Sequence, residues 1–443
     1  MAGRGTDVGQ STNTDRRQGR RRRLGMRWWV LGWLLVGGII NYFDRANLSL
    51  ATPQMMKELH LSAADIGLMA SVFSWTYAVM QLPAGHLIDR LGSRRVYTVA
   101  VTLWSVATLA TGLCYRLPQF LAARLVLGVG EAPCFPASAK ITSKWFPKRE
   151  RGTATGIWDS SSKWGPALAP LLLVPVMVHW GWRALFVVTG VLGLIFVVAF
   201  WVGYRDPAGS RRLSAEEREL IEADEQDAES ETDPEPEHVS WPRLFTQRTV
   251  WGMILGFFCT IWIWNIFLAF LPLYLVRTQG IDLAKLGLYA SIPWLGGVVG
   301  DVGGGFLTAR LVARGVGSPL KVRRMLILTC ALLAGASVVL VPSAHGLAPT
   351  LVLFTLALCF VSAITGSAWA MPGDVAPQHQ VASVGAIQNF GGYFGGAFSP
   401  LVAGLIVDRT DSWSLAFYSG GVVAALAGLC YWFIVRRPIA AIA

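Results

Sequence analysis

Charged side chains are scarce in this sequence. Only 15% of its 443 residues are Asp, Glu, Lys or Arg, whereas 53% are hydrophobic. A soluble protein of this length needs more charge on its surface, so the composition argues against an ordinary soluble fold. It predicts instead a polytopic membrane protein whose apolar surface faces lipid.

Residue patterns that carry enzyme chemistry are also missing. The six cysteines fall within or at the ends of apolar runs, and none stands in a CxxC or metal-ligating spacing. This placement predicts neither a disulfide framework nor a metal site. The sequence contains no nucleophile–base motif and no glycine-rich phosphate loop. We therefore expect no enzyme activity and no cofactor.

The formal net charge of +11 comes from a basic excess that follows a topological pattern. Most of the 38 Lys and Arg stand in the N-terminal tail, in alternate loops and at the C-terminus. By the positive-inside rule, this distribution predicts that both termini are cytoplasmic. Because the basic residues mark one side of a membrane, we expect no nucleic-acid partner.

Apolar runs of membrane-spanning length recur along the chain. A spanning helix needs roughly 20 mostly apolar residues, and twelve runs meet that length. They lie near residues 27–50, 64–88, 94–114, 117–140, 152–176, 181–204, 249–276, 283–310, 322–342, 347–372, 380–407 and 412–435. Helices satisfy the backbone in lipid, so the fold class is an all-α polytopic membrane protein.

An acidic, aromatic-poor segment separates the sixth and seventh runs and divides them into two blocks of six. We predict a cytoplasmic basic tail, an N-terminal six-helix bundle, a cytoplasmic charged linker, a C-terminal six-helix bundle and a cytoplasmic tail. These are residues 1–26, 27–204, 205–248, 249–436 and 437–443. Within the linker, Ser214 followed by Glu217 predicts the start of a helix with a capping box.

The two blocks resemble each other at one short motif. "GHLIDRLGSRR" (Gly85–Arg95) follows the second run, and "GFLTARLVARG" (Gly305–Gly315) follows the eighth. Two similar six-helix halves are typical of a transporter with its substrate site between the repeats. In the first copy, we expect Asp89, Arg90 and Arg94 to form a gating charge network that holds one conformation. Simple positive-inside anchoring by the arginines is the alternative, and the second copy has Ala309 in place of the acid.

Few ionisable residues lie towards the middle of the predicted spans, where each costs about 2.5–3.5 kcal/mol on insertion scales unless paired or hydrated. They are Asp44, Arg45, Arg124, Glu131, Asp159, Lys163 and Asp301. Each is a functional candidate, and structural ion pairing is the competing interpretation for all of them.

The first and fourth spans carry the most informative charges. Arg124 and Glu131 are seven residues apart and share one helical face, and Pro133 predicts a bend just beyond them. Arg124 could pair with Asp44, and Glu131 could pair with Arg45, but the sequence does not fix the pairing. A guanidinium suits carboxylate binding, whereas Asp44 and Glu131 suit reversible protonation.

The fifth span adds Asp159 and Lys163, which stand four residues apart. They either neutralise each other, or Lys163 faces the cavity and provides a second anchor for a diacid. Asp301 has no assigned role. In the C-terminal block, Asn265, Gln388 and Asn389 are polar groups that suit hydroxyl recognition.

Four segments resemble a known family of transporters. They are "YFDRANLSLA", "SVFSWTYAVMQLPAGHLIDRLGSRR", "RLVLGVGEAPCFPA" and "SKWFPKRERGTATGIW". With the twelve-span layout, they resemble the anion:cation symporter family of the major facilitator superfamily. The resemblance implies a monomer in the bacterial inner membrane that imports a small organic anion with protons by rocker-switch alternating access. Bacterial members carry sugar acids such as galactonate and glucarate, and relatives import phthalate and other aromatic acids.

The resemblance also implies roles for individual residues. Arg45 would bind the substrate carboxylate, Asp44 and Glu131 would be protonation sites, and Arg124 would be a charge partner. Further matched positions are Tyr42, Tyr77, Trp369 and Asn389.

This chain departs from galactonate-type carriers at Ser162 and Lys163, where those carriers have Gln and an apolar residue. The departure gives weight to a diacid or an aromatic dicarboxylate. A drug:proton antiporter is the remaining alternative, which the cationic residues Arg45, Arg124 and Lys163 disfavour.

Overall fold

The computed structural model describes residues 25–210, 213–221, 241–376 and 381–439 of the chain. All regular structure in these ranges is helical. The tail up to residue 24, much of the acidic linker and the last four residues lie outside the described residues, so the predictions made for them do too.

The first half of the chain contains eight helices that make six segments of membrane-spanning length. They are α1 Met26–Leu59, α2 Ala63–Leu91, α3 Ser93–Thr111, α4 Leu117–Glu131, α5 Cys134–Trp145, α6 Lys148–Asp159, α7 Ser161–Trp180 and α8 Trp182–Gly203. The pair α4 and α5 and the pair α6 and α7 each form one long segment with a short interruption.

The second half repeats this plan after two short helices, α9 at 215–221 and α10 at Trp241–Leu244. Its long helices are α11 Arg248–Arg277, α12 Leu283–Ala313, α13 Pro319–Leu340, α14 Leu347–Val375, α15 Val381–Gly396, α16 Ser399–Thr410 and α17 Trp413–Phe433. Here α15 and α16 together form one segment. The repeated motif ends the second segment of each half, at the end of α2 and of α12.

Ten of these twelve segments are long and apolar enough to cross a membrane by length and composition alone. The other two, α1 and α3, correspond to the predicted spans 27–50 and 94–114. Polar groups such as Asp44 and Arg45 in α1 and the arginines that begin α3 lower their mean hydropathy. The middle of α1 is buried inside the protein, so its polar residues do not face lipid. The predicted all-α fold with two six-helix bundles is confirmed.

Close contacts join the two bundles at one end, which we call the distal end because it lies opposite the chain termini. There, the backbone N–H groups of Ala63 and Ala64 donate to the carboxylate of Asp408, at 2.9 and 2.7 Å. Asp408, at the end of α16, thus accepts from the free N–H groups that begin α2, where negative charge is also favoured by the helix dipole.

Glycine allows the close helix contacts at the distal end. A Cβ atom at Gly67 would collide with the Pro400 carbonyl, and one at Gly404 would collide with the Ala63 carbonyl. Because the backbones touch directly, larger side chains are excluded at both positions. On the other side of the interface, Gly287 of α12 lies in the same way against Pro170 of α7.

The linker helix α9 packs against the start of α1. The hydroxyl of Ser214 accepts from the N–H of Glu217 at 3.1 Å, so Ser214 caps the helix as predicted. The Glu217 side chain does not complete the capping box; instead it accepts from the N–H of Met26 at 3.1 Å. Arg27 reaches Glu217 at 4.0 Å and Glu150 at 3.4 Å, which ties the linker to the N-terminal bundle.

We expect Asp408→Ala to lower stability by about 0.5–2 kcal/mol, the usual cost of a lost helix cap. Because this cap joins the bundles, the variant also widens the distal end, which is measured as a longer distance between spin labels at the exposed Arg116 and Arg409. Ser62→Ala is the matched control, since Ser62 is the N-cap residue of the same helix and belongs to the same bundle. An equal distance change in both variants would contradict the role of Asp408 as a joint.

Candidate functional site

The middle of α1 places several polar side chains inside the protein. Asn41, Asp44 and Asn47 are at most 1% exposed, and Arg45 is 8% exposed. Helix α7 lies directly alongside, because a Cβ at Gly38 would meet Ser161 and a Cβ at Gly165 would meet Tyr42. The polar segment of α1 therefore lies at the centre of the fold, enclosed by its neighbours.

Arg45 forms a buried ion pair with Glu131. Its Nε donates to Oε2 of Glu131 at 2.8 Å, and the Glu131 side chain is fully buried. Glu131 is the last residue of α4, and the chain resumes as a helix at Cys134 after Pro133. The helix is thus interrupted where a bend was predicted, and the structure pairs Arg45 with Glu131.

Three aromatic rings surround the remainder of the Arg45 guanidinium. Its central carbon lies 4.9, 5.2 and 4.5 Å from the ring centroids of Tyr42, Phe73 and Tyr77. These cation–π contacts hold the head group without using its N–H donors. Within the described part of the chain, the buried Nη2 of Arg45 has no hydrogen-bond partner, so a donor remains for a ligand.

Asp44 and Arg124 do not pair directly. Asp44 Oδ1 accepts from Nδ2 of Asn47 at 3.5 Å, and that amide also donates to Thr189 Oγ1 at 2.6 Å. Oδ2 of Asp44 and Nε of Arg124 are both buried without a partner among the described residues. Arg124 is 3% exposed, so the site holds a guanidinium and a carboxylate that lack direct ion-pair partners.

A pocket between the bundles opens onto these charges. The N-terminal half contributes Arg45, Leu48, Ser49, Ala70, Phe73, Ser74, Tyr77 and Arg124, and the C-terminal half contributes Trp264, Asn265, Leu268, Ala269, Tyr393 and Pro400. Two guanidinium groups on one wall, with hydroxyl, amide and aromatic groups around them, suit a polar anion. The structure thus brings together Arg45, Tyr77, Arg124 and Asn265 from the sequence predictions.

Other predicted binding residues lie outside this pocket. Asn389 Nδ2 donates to Gln81 Oε1 at 2.9 Å across the two halves, and Trp369 stacks edge-on with Phe257 at 5.8 Å. Gln388 is 1% exposed and turns into the C-terminal bundle, where it donates to the Ala368 carbonyl at 3.1 Å and accepts from Tyr431. Its amide is therefore occupied by the protein.

Two residues were not predicted from the sequence: Tyr393 in the pocket, and Gln81, the partner of Asn389 outside it. Tyr393 lines the pocket and lies 5.7 Å from Tyr77, ring to ring. Gln81 follows Tyr77 by one helical turn, so it shares that face of α2. The spacing from Tyr77 was a usable signal for Gln81, whereas Tyr393 required knowledge of how the two halves meet.

Lys163 pairs with the other bundle. Its Nζ lies 3.5 Å from Oδ2 of Asp301 in α12. Lys163 and Asp159 do not form an ion pair among the described contacts, and the helix is interrupted between them at Ser160. Ser162 is 6% exposed, and its hydroxyl is buried without a partner in the described part of the protein.

Two of the predicted gating residues make contacts within the N-terminal bundle. Asp89 lies 3.1 Å from Lys140, and Arg94 donates to the Trp201 carbonyl while stacking over the Trp201 ring at 3.9 Å. Among the described residues, neither these two nor Arg90 bonds to the C-terminal bundle. In this conformation, the network does not connect the halves.

Comparison with known proteins places these features in a family context. The model of the Major Facilitator Superfamily matches residues 34–400 and 322–441. The chain is 36% identical to the probable L-galactonate transporter of Escherichia coli (strain K12), over 92% of this chain and 88% of that protein. It is 34% identical to the probable galactarate/D-glucarate transporter GarP of the same organism, over 92% and 94%. A probable sulfoacetate transporter of Cupriavidus necator is 31% identical over 94% and 95%.

Solved structures share the fold at low sequence identity. A bacterial homologue of the human lysosomal transporter Spinster, in an inward-facing and occupied conformation, aligns with a TM-score of 0.72 at 18% identity, covering 94% of this chain and 98% of that one. A D-xylose–proton symporter aligns with a TM-score of 0.73 at 15% identity, over 93% and 98%.

Removing one partner of the Arg45–Glu131 pair leaves an uncompensated buried charge, so we expect Arg45→Gln or Glu131→Gln alone to cost about 3–5 kcal/mol of stability. The double variant Arg45→Gln/Glu131→Gln costs less than the sum of the two. Thermal unfolding of the four proteins measures this coupling. The exposed Lys140–Asp89 pair is the control, with a coupling of about 0–1 kcal/mol. Additive effects at Arg45 and Glu131 would show that the buried pair is not formed.

Proposed function

Since the chain belongs to the Major Facilitator Superfamily of transporters, we propose that it imports an organic carboxylate together with protons. The substrate is a sugar acid such as galactonate or glucarate, and the mechanism is rocker-switch alternating access. One observation carries this proposal: Arg45, buried between the bundles, is held by Glu131 on one edge and keeps a free N–H donor.

The character of the pocket supports a hydroxylated carboxylate as the substrate. Arg45 offers a planar fork that matches a carboxylate, and Arg124 adds a second positive charge. Ser49, Ser74 and Asn265 line the same pocket. The Ser49 hydroxyl has no partner among the described residues, whereas Ser74 and Asn265 donate to backbone carbonyls and keep acceptor oxygens for hydroxyl groups. The names of the galactonate and galactarate/D-glucarate relatives agree with this chemistry.

Proton coupling follows from competition for Arg45. When Glu131 takes up a proton, it loses the charge that holds Arg45, and the guanidinium becomes available for the substrate carboxylate. When Glu131 loses the proton, it reclaims Arg45, and the substrate is released. Asp44 is the second protonation site, because its buried Oδ2 has no partner among the described residues, and Arg124 is the nearby charge partner.

Alternating access requires that the bundles rock about this central site. The distal joint of Asp408, Gly67 and Gly404 supports a state that is closed on the side away from the termini. With both termini cytoplasmic, as the basic loops predict, that state is inward-facing. Asp89, Arg90 and Arg94 then form their latch between the bundles in the opposite, outward-facing state.

These assignments give the chain a definite cellular setting. We place it as a monomer in the bacterial inner membrane, with a basic tail at 1–26, bundles at 27–204 and 249–436, a cytoplasmic linker at 205–248 and a short tail at 437–443.

An aromatic acid is the second candidate substrate. The pocket is lined by the rings of Phe73, Tyr77, Trp264 and Tyr393, which stack on an aromatic ring as readily as they pack on the apolar face of a sugar. A cationic drug is disfavoured, because Arg45 and Arg124 face the pocket.

The proposal is tested by uptake into proteoliposomes with an inward-directed proton gradient, using a panel of sugar acids, aromatic acids and cationic drugs. We expect accumulation of a sugar acid by the wild type and none by Arg45→Gln. Arg183→Gln is the matched control, because Arg183 lies at the distal end and pairs with Glu58. Failure to accumulate any acid, together with accumulation of cations when the proton gradient is reversed to point outward, would overturn the importer and favour an antiporter.

The coupling residues are tested separately with the same vesicles. We expect Glu131→Gln and Asp44→Asn to abolish proton-driven accumulation and to retain exchange of substrate across the membrane, because the neutral side chains mimic the protonated state. Exchange is measured by loading vesicles with unlabelled substrate and following entry of labelled substrate. Undiminished accumulation in either variant would remove that residue from the coupling mechanism.

A further inference from the structure

An ion pair joins the two bundles near the middle of the membrane, away from the distal joint. Lys163 of α7 lies 3.5 Å from Asp301 of α12, with the lysine side chain only 6% exposed and the aspartate 25% exposed. A buried ammonium is costly unless paired, so the pair explains how the lysine is tolerated. It does not explain why a lysine is there.

Further polar groups belong to the surroundings of the pair. Asp301 Oδ1 faces Gly366 of α14, where any side chain would collide with it. Asp159 precedes Lys163 by four residues, and Ser162 has a buried hydroxyl without a partner in the described residues. The cluster therefore contains one ammonium, two carboxylates and a free hydroxyl.

Helix packing fixes where Lys163 lies relative to Arg45. Because Gly38 is level with Ser161 and Tyr42 is level with Gly165, the two helices run parallel and Lys163 is level with Ile40. Arg45 is then five residues further along α1, about 7–8 Å at 1.5 Å per residue. The end carboxyl carbons of an extended six-carbon diacid are about 6 Å apart, at roughly 1.2 Å per bond. The offset of the two residues along the helix axis is thus of the same order as the length of the diacid.

We propose that Lys163 is a second carboxylate-binding residue that makes the transporter selective for six-carbon dicarboxylic sugar acids. This inference rests on the proposed function, with Arg45 holding the first carboxylate. When no substrate is bound, Asp301 pairs with Lys163, as Glu131 pairs with Arg45.

The exchange at Lys163 has the same logic as the exchange at Arg45. Lys163 already pairs with Asp301, so the substrate carboxylate is accommodated once Asp301 takes up a proton, which a proton-coupled cycle supplies. Since Lys163 and Asp301 belong to different bundles, the substrate also breaks a bond that connects them. Binding of the second carboxylate is thereby coupled to the interface between the two bundles, which must move during transport.

The test compares two acids that differ at one end only. Galactarate carries carboxylates at both ends, and galactonate has the same hydroxyl configuration with a CH₂OH group at the second end. Dissociation constants are measured calorimetrically on the purified full chain. We expect Lys163→Gln to weaken galactarate binding by about 10- to 100-fold, the usual effect of losing a hydrogen bond to a charged group, and galactonate binding by less than about 3-fold.

Three further variants separate binding from structure. Lys163→Arg keeps the cation and is expected to retain the preference for galactarate. Lys163→Gln/Asp301→Asn removes both charges without leaving either one unpaired, and it should show the same selective loss as Lys163→Gln. Lys285→Gln, an exposed lysine near the start of α12, is expected to leave both affinities unchanged.

The outcomes distinguish this inference from the proposed function. If the wild type binds galactonate and galactarate equally and Lys163→Gln weakens both to the same extent, the second carboxylate site is overturned, whereas a sugar-acid transporter stands. If the wild type binds neither acid, the proposed function itself fails. A selective loss of galactarate that Lys163→Arg restores supports the inference.

Discussion

The burial of one guanidinium between the two bundles is the constraint on which the rest of the structure depends. Arg45 remains charged in any environment that a protein provides, so the fold must supply an anion, and Glu131 does so at 2.8 Å. The break between α4 and α5 brings that carboxylate to the end of a helix. The rings of Tyr42, Phe73 and Tyr77 hold the head group while leaving one donor unused. A buried cation whose partner can be neutralised by a proton is thereby placed beside a pocket.

The fold was predictable from the sequence because lipid imposes simple rules. Long apolar runs identify the spans, and the acidic linker separates two blocks of six. Helix α1 shows where a hydropathy criterion is insufficient: it carries Asp44 and Arg45, and its length and its burial by neighbouring helices compensate for them. The close distal contacts at Gly67 and Gly404 were not predictable, because two helices far apart in sequence must meet before either glycine has a role.

Most residues of the site were predictable from the sequence, but which of them pair with each other was much less so. Periodicity put Arg124 and Glu131 on one face, but the choice of Glu131 for Arg45 depends on how α4 breaks at Pro133. Asp159 and Lys163 illustrate the limit: a spacing of four suggests a pair within a helix, yet Lys163 pairs with Asp301 in the other bundle. Gln388 carries an amide of the kind that binds hydroxyl groups, but this amide donates to a backbone carbonyl inside the C-terminal bundle.

The central claim is that a substrate carboxylate displaces Glu131 from Arg45 and that the displaced acid takes up a proton. Calorimetry of sugar-acid binding in buffers of different ionisation enthalpy counts the protons exchanged on binding. The account predicts net proton uptake by the wild type and a smaller uptake by Glu131→Gln, which has no carboxylate to neutralise. Binding without proton uptake, or an uptake that Glu131→Gln leaves unchanged, would contradict it.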